Sequence, residues 1–538
     1  GGGYGGGGYG GGGGGYGGYG SAPERQKPDL NRRDEQFESE VFANVRRSGI
    51  DFEKYKKVKC KATAGGEELP QSVQEFKDIK LHEVLMDNLK LCSYAKPTPI
   101  QQHAIPILLN GFDMLGCAQT GSGKTAAFLL PSIQRVLEMA EQGSLPSPPQ
   151  TDQYRTRPSR TSYPYVLCVG PTRELVHQIF KEAQKFAYRT GLRPQCVYGG
   201  TRRGDQRAAL QRGCEILVGT TGRLNDFIQD ETVGVQNVQC LILDEADRML
   251  DMGFKPDIDN IMRSGMPDRT KRQTMMFSAT FPTAVQEIAR AYLKSKESGS
   301  NPYAYVRVGR VGSTVEFIDQ QFRHVPRFPD KMDCLINDAK TVQKALVFVN
   351  TKRGVDEVCN NLQGLGISAA SIHGDHSQET RMSSLAALKK GDVKMLIATD
   401  VASRGLDIPE VSHVINFDVP RGHEALDSYT HRIGRTGRMG NRGVAITYIN
   451  ENCEFVGDII KLVEETGKQV PDWMKNMSGG GYGGRRYGGG GGYGGNSDIR
   501  NGYGGGRGGY GGGRGGGRGG GRGGYGGGRG GGYGGGGR

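Results

Sequence analysis

The acids of Asp244-Glu245-Ala246-Asp247 follow the apolar run Cys240-Leu241-Ile242-Leu243. Four apolar residues ending in acid read as a buried strand that delivers carboxylates to a crevice at its C-terminal end. Open α/β sheets bind ligands at that edge. One carboxylate there can hold Mg2+, directly or through water, and a second can polarise an attacking water. An acidic turn or helix cap has the same composition, so the tetrad needs a second signal. That signal lies upstream. Ala118-Gln119-Thr120-Gly121-Ser122-Gly123-Lys124-Thr125 follows the apolar run Met114-Leu115-Gly116-Cys117 and precedes the helical stretch Ala126-Ala127-Phe128-Leu129-Leu130. A strand, a glycine-rich turn and a helix present backbone N–H groups and a helix N-terminus to phosphates. In that frame Lys124 reaches the β- and γ-phosphates and Thr125 ligates Mg2+. Ala118 stands where the general pattern has Gly. Phosphate loop and carboxylates together specify a nucleotide-hydrolysing core.

The elements that must position these residues alternate along the chain. Strands are expected at 165–169, 215–218, 240–243 and 275–277, before Pro171-Thr172-Arg173-Glu174-Leu175, Thr220-Thr221-Gly222-Arg223, the acids and Ser278-Ala279-Thr280. Short strands alternating with helices mean a parallel sheet with right-handed crossovers. Before them, Tyr94-Ala95-Lys96-Pro97-Thr98-Pro99-Ile100-Gln101 is a proline-stiffened turn leading into a helix at 102–109. Residues 141–163 read as a surface loop and 309–314 as an interdomain linker. A second alternation follows, with strands at 345–349, 367–372, 395–398, 414–417 and 444–448 and no phosphate loop. It carries Asp400-Val401-Ala402-Ser403-Arg404-Gly405-Leu406-Asp407 and His431-Arg432-Ile433-Gly434-Arg435-Thr436-Gly437-Arg438. Arg432, Arg435 and Arg438 recur at three-residue steps, nearly aligned on one helix face. They read either as a solvated basic helix or as trans-acting arginines for phosphoryl transfer.

The chain has 538 residues, 90 of them Gly, and the glycines concentrate at the two ends. Residues 1–20 are only Gly and Tyr, and 478–538 are Gly with Arg and Tyr; neither can bury a core, and disorder is expected. Segment 21–72 is a charged, proline-dotted extension with apolar clusters at Val41-Phe42 and Ile50-Asp51-Phe52, partly packed on the next domain. What remains divides into domains at 73–308 and 315–477. The last stretch holds nine Arg and one Asp, a net +8 of the chain's +13, which points to nucleic acid, with a plain spacer as the alternative. Ten scattered Cys support neither a disulfide framework nor a zinc site and fit a reducing compartment. There is no apolar run of membrane-spanning length and no signal peptide, so no membrane partner is expected. The first residue is Gly, so a preceding segment is expected.

Taken together the chain resembles the DEAD-box ATP-dependent RNA helicases over about residues 73–475, most nearly the Vasa/Belle-like branch. Asp-Glu-Ala-Asp, Ala-x-Thr-Gly-Ser-Gly-Lys-Thr, Pro-Thr-Arg-Glu-Leu, Ser-Ala-Thr and His-Arg-Ile-Gly-Arg-Thr-Gly-Arg occur in that family's order, and the family also has Ala at the position of Ala118. The resemblance implies an α/β protein of two tandem RecA-like domains with parallel sheets, closing on ATP, Mg2+ and single-stranded RNA. It implies that Tyr94 stacks on adenine with Lys96 beside it, that Gln101 reads the adenine edge, and that Phe76 supports the turn. Asp244 would position Mg2+ and Glu245 would activate water. Ser278, Ala279, Thr280, Asp247 and His431 would couple nucleotide state to closure. Asp407 would hold the ribose, and Arg435 and Arg438 would reach the γ-phosphate. RNA backbone contacts would come from Pro171, Thr172, Arg173, Gly200, Thr220 and Arg223, and from Gly374, Arg381, Thr399 and Arg404. Two departures stand out. Thr221 replaces the usual Pro, which would loosen an RNA-contacting turn, and 421–430 is about three residues longer than usual, which would alter how the arginines are presented or insert a surface turn.

The resulting expectation is an RNA-dependent ATPase, monomeric, that separates short duplexes without sequence preference. An ATP-dependent clamp or granule scaffold and a processive DNA helicase are the alternatives. Cytoplasmic residence is expected, with RNA granules, translation factors and nuclear shuttling as further options.

Overall fold

The central strands form because their residues are apolar on both faces. Met114–Cys117 (β2), Val166–Gly170 (β3) and Cys240–Leu243 (β6) are buried at every position, as strands covered by helices on both sides must be. The computed structural model describes residues 32–42, 60–118, 121–149, 161–295, 303–309, 318–400, 411–422, 425–437, 442–451, 453–465 and 467–479. The remaining strands of the first lobe are Cys60–Thr63 (β1), Pro194–Val197 (β4), Ile216–Thr220 (β5), Gln273–Ser278 (β7) and Ala304–Val308 (β8). They assemble into one sheet in the order β1-β8-β2-β7-β6-β3-β5-β4, in which only the β1–β8 pair is antiparallel. The second lobe builds an all-parallel sheet from Ile318–His324 (β9), Ala345–Phe348 (β10), Ala369–Ile372 (β11), Met395–Ala398 (β12), His413–Asn416 (β13) and Gly443–Ile449 (β14), in the order β11-β12-β10-β13-β14-β9. This is the expected pair of tandem RecA-like α/β lobes. The two tails and most of the linker lie outside the described residues.

Alternate residues of each strand feed opposite faces. In the first sheet Met114, Cys168, Ile242 and Phe277 pack into one core, and Leu115, Val169, Leu243 and Met276 into the other. The period of two makes a double-faced core from an unbroken apolar run.

The first lobe starts before residue 73. β1 pairs with β8, Cys60 opposite Val308, and so extends the sheet. Farther upstream the helix Glu35–Val41 is capped by Asp34, and Phe37 stacks on Tyr188 at 5.1 Å. The Tyr188 hydroxyl accepts from the Asp34 N–H and donates to Glu38, 2.8 Å each. The Val41-Phe42 cluster therefore packs on this lobe, while residues 50–52 lie outside the described ones.

Asp113, fully buried before β2, ties together the amino edge of the sheet, opposite the edge that carries the phosphate loop. It accepts from the Thr274 N–H of β7 and from the Lys294 N–H, both at 2.9 Å. Burial pushes its carboxyl up, against the pull of Lys294. Asp113→Ala orphans the buried Thr274 N–H, at roughly 1–3 kcal/mol, and the part-buried Lys294 N–H at less. The expected outcome is a lower thermal unfolding midpoint by circular dichroism for Asp113→Ala, with Asp113→Asn less affected.

Candidate active site between two RecA-like lobes

β2, β7 and β6 are neighbours, so the residues that follow them share one carboxyl edge. Cys117 pairs with Ser278, and the Ala118 N–H donates to the Ser278 carbonyl at 3.0 Å. The loop then turns through Gly121 and Gly123, with φ of 82° and 92°. Both values lie in the left-handed region that glycine adopts without strain. Gly123 has a second reason to be glycine. A Cβ there would come within 2.6 Å of Gln101 Nε2 and 2.9 Å of Thr98 Oγ1. Lys124 and Ser122 are buried, and the Lys124 ammonium donates to the Ala118 carbonyl at 3.0 Å. Gln119 and Thr120 lie outside the described residues.

Gln101 is fully buried. Its Oε1 accepts from the Thr98 N–H and its Nε2 donates to the Gly123 carbonyl, both at 2.9 Å. The residue expected to read a base edge thus also fastens the proline turn to the phosphate loop. Phe76 is buried and meets Tyr94 edge-on at 6.1 Å; Tyr94 in turn meets Phe186 at 5.8 Å. Lys96 is exposed beside them. Asp407 lies outside the described residues.

The acids occupy a bent backbone. Glu245 sits at φ 53°, ψ 50°, a left-handed conformation that a non-glycine residue adopts at a cost. Asp244 Oδ1 holds it there by accepting the Glu245 N–H at 3.0 Å. Burial pushes the Asp244 carboxyl up to about 6, against the pull of Lys124. Burial also works to raise Glu245, but the charges of Arg248, Arg435 and Lys124 prevail and hold it below its ordinary value. Arg248 Nη1 lies 3.1 Å from Glu245 Oε2. Thr125 stands in the first turn of the helix behind the loop, and a threonine hydroxyl with the carboxylates of Asp244 and Glu245 would make a hard oxygen donor set of the kind that suits Mg2+.

Asp247 links β6 to β7 and to the other lobe. Its Oδ2 accepts from the Ala279 N–H, the Thr280 N–H and the Thr280 hydroxyl at 2.9–3.0 Å. Ser278 completes the turn by donating to the Thr280 carbonyl at 2.7 Å. From the second lobe His431 Nε2 approaches Asp247 Oδ2 to 3.6 Å. Burial drives the His431 pKa down, with Arg248 and Arg435 reinforcing it against the pull of Asp247, so the imidazole is neutral. Asp247 lies well below the carboxylate range, because the nearby His431 ring and the Arg248 and Lys124 charges outweigh burial.

Arg432 and Arg435 do not share a helix face. The helix Ala425–Ile433 ends between them. Arg432 is buried in its own lobe, on Asp400 at 2.6 Å and Asn350 at 3.0 Å, over the Phe348 ring. It is a structural ion pair. Arg435, past the helix end, is buried and within Coulombic reach of Glu245. Arg438 lies outside the described residues, as do residues 423–424 of the longer segment; its last residues begin the helix itself.

The residues expected to touch RNA follow β3, β4 and β5, on the other half of the same edge. Pro171 and Thr172 are buried, with the Thr172 hydroxyl accepting from the Leu175 N–H at 3.3 Å. The Arg173 guanidinium lies against Gly200, where a Cβ would be 2.2 Å from Nη1. Arg223 donates to Gln206 at 3.1 Å and covers the Phe227 ring. Thr220 stands at the N-cap position of the helix Thr221–Gln229 with no side-chain capping bond, and Thr221 is buried as its first residue, so the missing proline leaves a formed turn. On the second lobe Gly374 is exposed after β11 and Thr399 buried after β12; Arg404 lies outside the described residues. Arg381 carries a contact that the sequence did not announce. It ion-pairs with Glu174 of the first lobe at 2.7 Å. Gln378 donates to the same carboxylate at 3.2 Å and accepts from Arg173 at 3.4 Å. Glu174 lies inside Pro-Thr-Arg-Glu-Leu; nothing in its spacing marked it as an interlobe group.

Residues 98–288 match the DEAD/DEAH box helicase family, and residues 329–440 match the helicase conserved C-terminal domain. The Prp28 RNA helicase from Chaetomium thermophilum, a structure with bound ADP, is 33% identical over 85% of this chain and 100% of that one, at a TM-score of 0.39. A DEAD box protein from Methanococcus jannaschii is 30% identical over 74% of this chain and 99% of that one, at a TM-score of 0.41. The S. cerevisiae Dbp5 structure with RNA and ADP BeF3 is 27% identical over 76% of this chain and 98% of that one, with a TM-score of 0.61. The chain belongs to the DEAD-box RNA helicase family. It is an RNA-dependent ATPase that couples ATP hydrolysis to RNA unwinding or remodelling.

Gly123→Ala tests the loop packing. The added methyl must displace Gln101 or open the turn. ATP affinity should fall at least about tenfold, 1.4 kcal/mol or more, by equilibrium titration of a fluorescent nucleotide, with the circular dichroism spectrum unchanged.

Proposed function

We propose that the cleft between the lobes is an ATPase centre completed across the interface, with RNA binding as the event that completes it. The observation that carries this reading is the meeting of Asp247 and Glu245 with His431 and Arg435, carboxylates from one lobe and nitrogen groups from the other. Lys124 and the loop N–H groups orient the phosphates. Glu245, held ionised by Arg248 and Arg435, takes a proton from the attacking water. Thr125 and Asp244 would hold Mg2+, which when bound neutralises phosphate charge. Arg435, joined by Arg438, stabilises the charge that develops on the γ-phosphate. Asp407 holds the ribose, and Tyr94, Phe76 and Gln101 form the base site.

RNA lies along the edge after β3, β4 and β5 and continues over Gly374, Arg381, Thr399 and Arg404. Contacts to phosphate and 2′-hydroxyl carry no sequence information, so the grip is general. In this reading RNA phosphates replace Glu174 as the anion that Arg381 faces. The partner strand leaves when the gripped strand no longer fits a duplex, and hydrolysis serves release. The Arg/Gly/Tyr tail adds phosphate and stacking contacts. The finer placement in the Vasa/Belle-like branch rests on the sequence resemblance. Monomeric, cytoplasmic work fits the scattered unpaired cysteines and the family resemblance, and recruitment to RNA granules rests on the composition of the tails.

Glu245→Gln should retain nucleotide and RNA binding and lose turnover by about 10²–10⁴-fold. Near wild-type hydrolysis in a steady-state ATPase assay would remove Glu245 from the chemistry. Arg435→Lys keeps the charge and loses the planar fork. RNA-stimulated ATPase should drop by roughly 10³-fold, while the low rate without RNA stays nearly constant. An equal loss with and without RNA would mean that Arg435 does not arrive with closure.

A further inference from the structure

We propose that Asp356, His373 and His376 form a binding site for a divalent transition-metal ion, Zn2+ by ligand chemistry, on the second lobe. One ligand atom from each residue lies within 4.8 Å of the others. His373 Nε2 is 3.1 Å from Asp356 Oδ1, and His376 Nε2 is 3.8 Å from the same oxygen. Two imidazoles and a carboxylate around tetrahedral Zn2+, with metal–ligand distances near 2.0–2.1 Å, stand about 3.3 Å apart. The two carboxylate–imidazole separations lie within about half an ångström of that value, and all three ligand atoms lie within 4.8 Å of one another.

The surroundings favour a metal over a simple charge pair. Among the described residues no lysine or arginine pairs with Asp356. The neighbouring cations are engaged elsewhere, Lys352 with Asp375 and Arg381 with Glu174. His376 Nδ1 is buried with no hydrogen-bond partner. The two rings lie with centroids 3.7 Å apart, a separation that disfavours two imidazoliums and suits two neutral ligands. The Asp375 N–H points at His373 Nδ1 at a long 3.4 Å, so in the free protein Nε2 carries the proton that Asp356 accepts. For Nε2 to offer its lone pair to the ion that proton shifts to Nδ1, and the long Asp375 N–H contact is given up. His373 is almost fully buried, while the Asp356 side chain is 46% exposed, which leaves an entry path and an open coordination position for water. Imidazole ligands select Zn2+ over Mg2+, so the site is chemically separate from the ATPase centre.

Asp356 lies on the helix Lys352–Gly364, and the histidines lie between β11 and the helix Gln378–Lys390. A bound ion would therefore pin the segment containing Gly374 to its neighbouring helix.

The test is calorimetric titration of Zn2+ into the chelator-stripped full chain, without nucleotide or RNA. His376→Ala and, separately, Asp356→Asn should each bind one equivalent fewer than wild type, or bind it at least about tenfold more weakly. Zn2+ should raise the wild-type melting temperature more than that of either variant. With Co2+ the difference spectrum between wild type and variant should show ligand-field bands and no thiolate charge transfer. Asp356→Asn preserves shape, so it keeps the test decisive if His376→Ala does not fold. Unchanged stoichiometry and affinity in the folded variants overturn the proposal. So does a difference spectrum dominated by thiolate, which would move the ion to the cysteines.

Discussion

Asp247 is the residue through which the two lobes and the two halves of the ATPase site communicate. A buried carboxylate is costly unless its lone pairs are filled. Here three donors from Ala279 and Thr280 fill them on one oxygen, and the Arg248 N–H fills the other at 3.0 Å. Those same donors fix the end of β7, whose Ser278 carbonyl receives the Ala118 N–H. The phosphate loop, the acids and the Ser-Ala-Thr turn are thus one hydrogen-bonded unit. A shift at any member is felt at the oxygen that faces His431.

What the sequence made legible follows from burial. Central strands such as β2, β6, β10 and β12 are apolar at every position and were readable as runs. Of the four edge strands only β11 was expected, at 367–372. β9, Ile318–His324, is largely exposed and reads Ile-Asp-Gln-Gln-Phe-Arg-His, with no apolar run to announce it. β4 begins with Pro194, which an edge tolerates because its missing N–H costs no ladder bond. β1 alternates in burial and pairs only with a strand far along the chain, so its place in the sheet is a tertiary fact.

The site was legible in its residue types and less so in its division of labour. Arg432, Arg435 and Arg438 are equivalent by spacing. The helix end at Ile433 and the Asp400 carboxylate separate the first from the second, and neither is visible in a three-residue period. Glu174 and Gln378 became interlobe groups only because two sheets present their carboxyl edges to each other. Gln101 shows the reverse case. Its place beside the proline turn was readable, but its bond to Gly123 depends on the approach of two loops 22 residues apart.

The described polar contacts across the interface are of kinds that contribute little net stability. The Arg381–Glu174 pair is buried, so its desolvation offsets most of its attraction. His431 is neutral and 3.6 Å from Asp247, beyond hydrogen-bond length, so that contact is an ion facing a dipole. Such an interface orients the lobes without locking them. The free energy that holds the closed form must then come from what binds across it. A polyanion that gives Arg381 and Arg435 new partners supplies differential affinity for the closed state, which a ligand must have to shift an equilibrium. Weak intrinsic closure is therefore the physical condition for RNA dependence, since a tightly self-closed pair of lobes would hydrolyse ATP whether or not RNA was present.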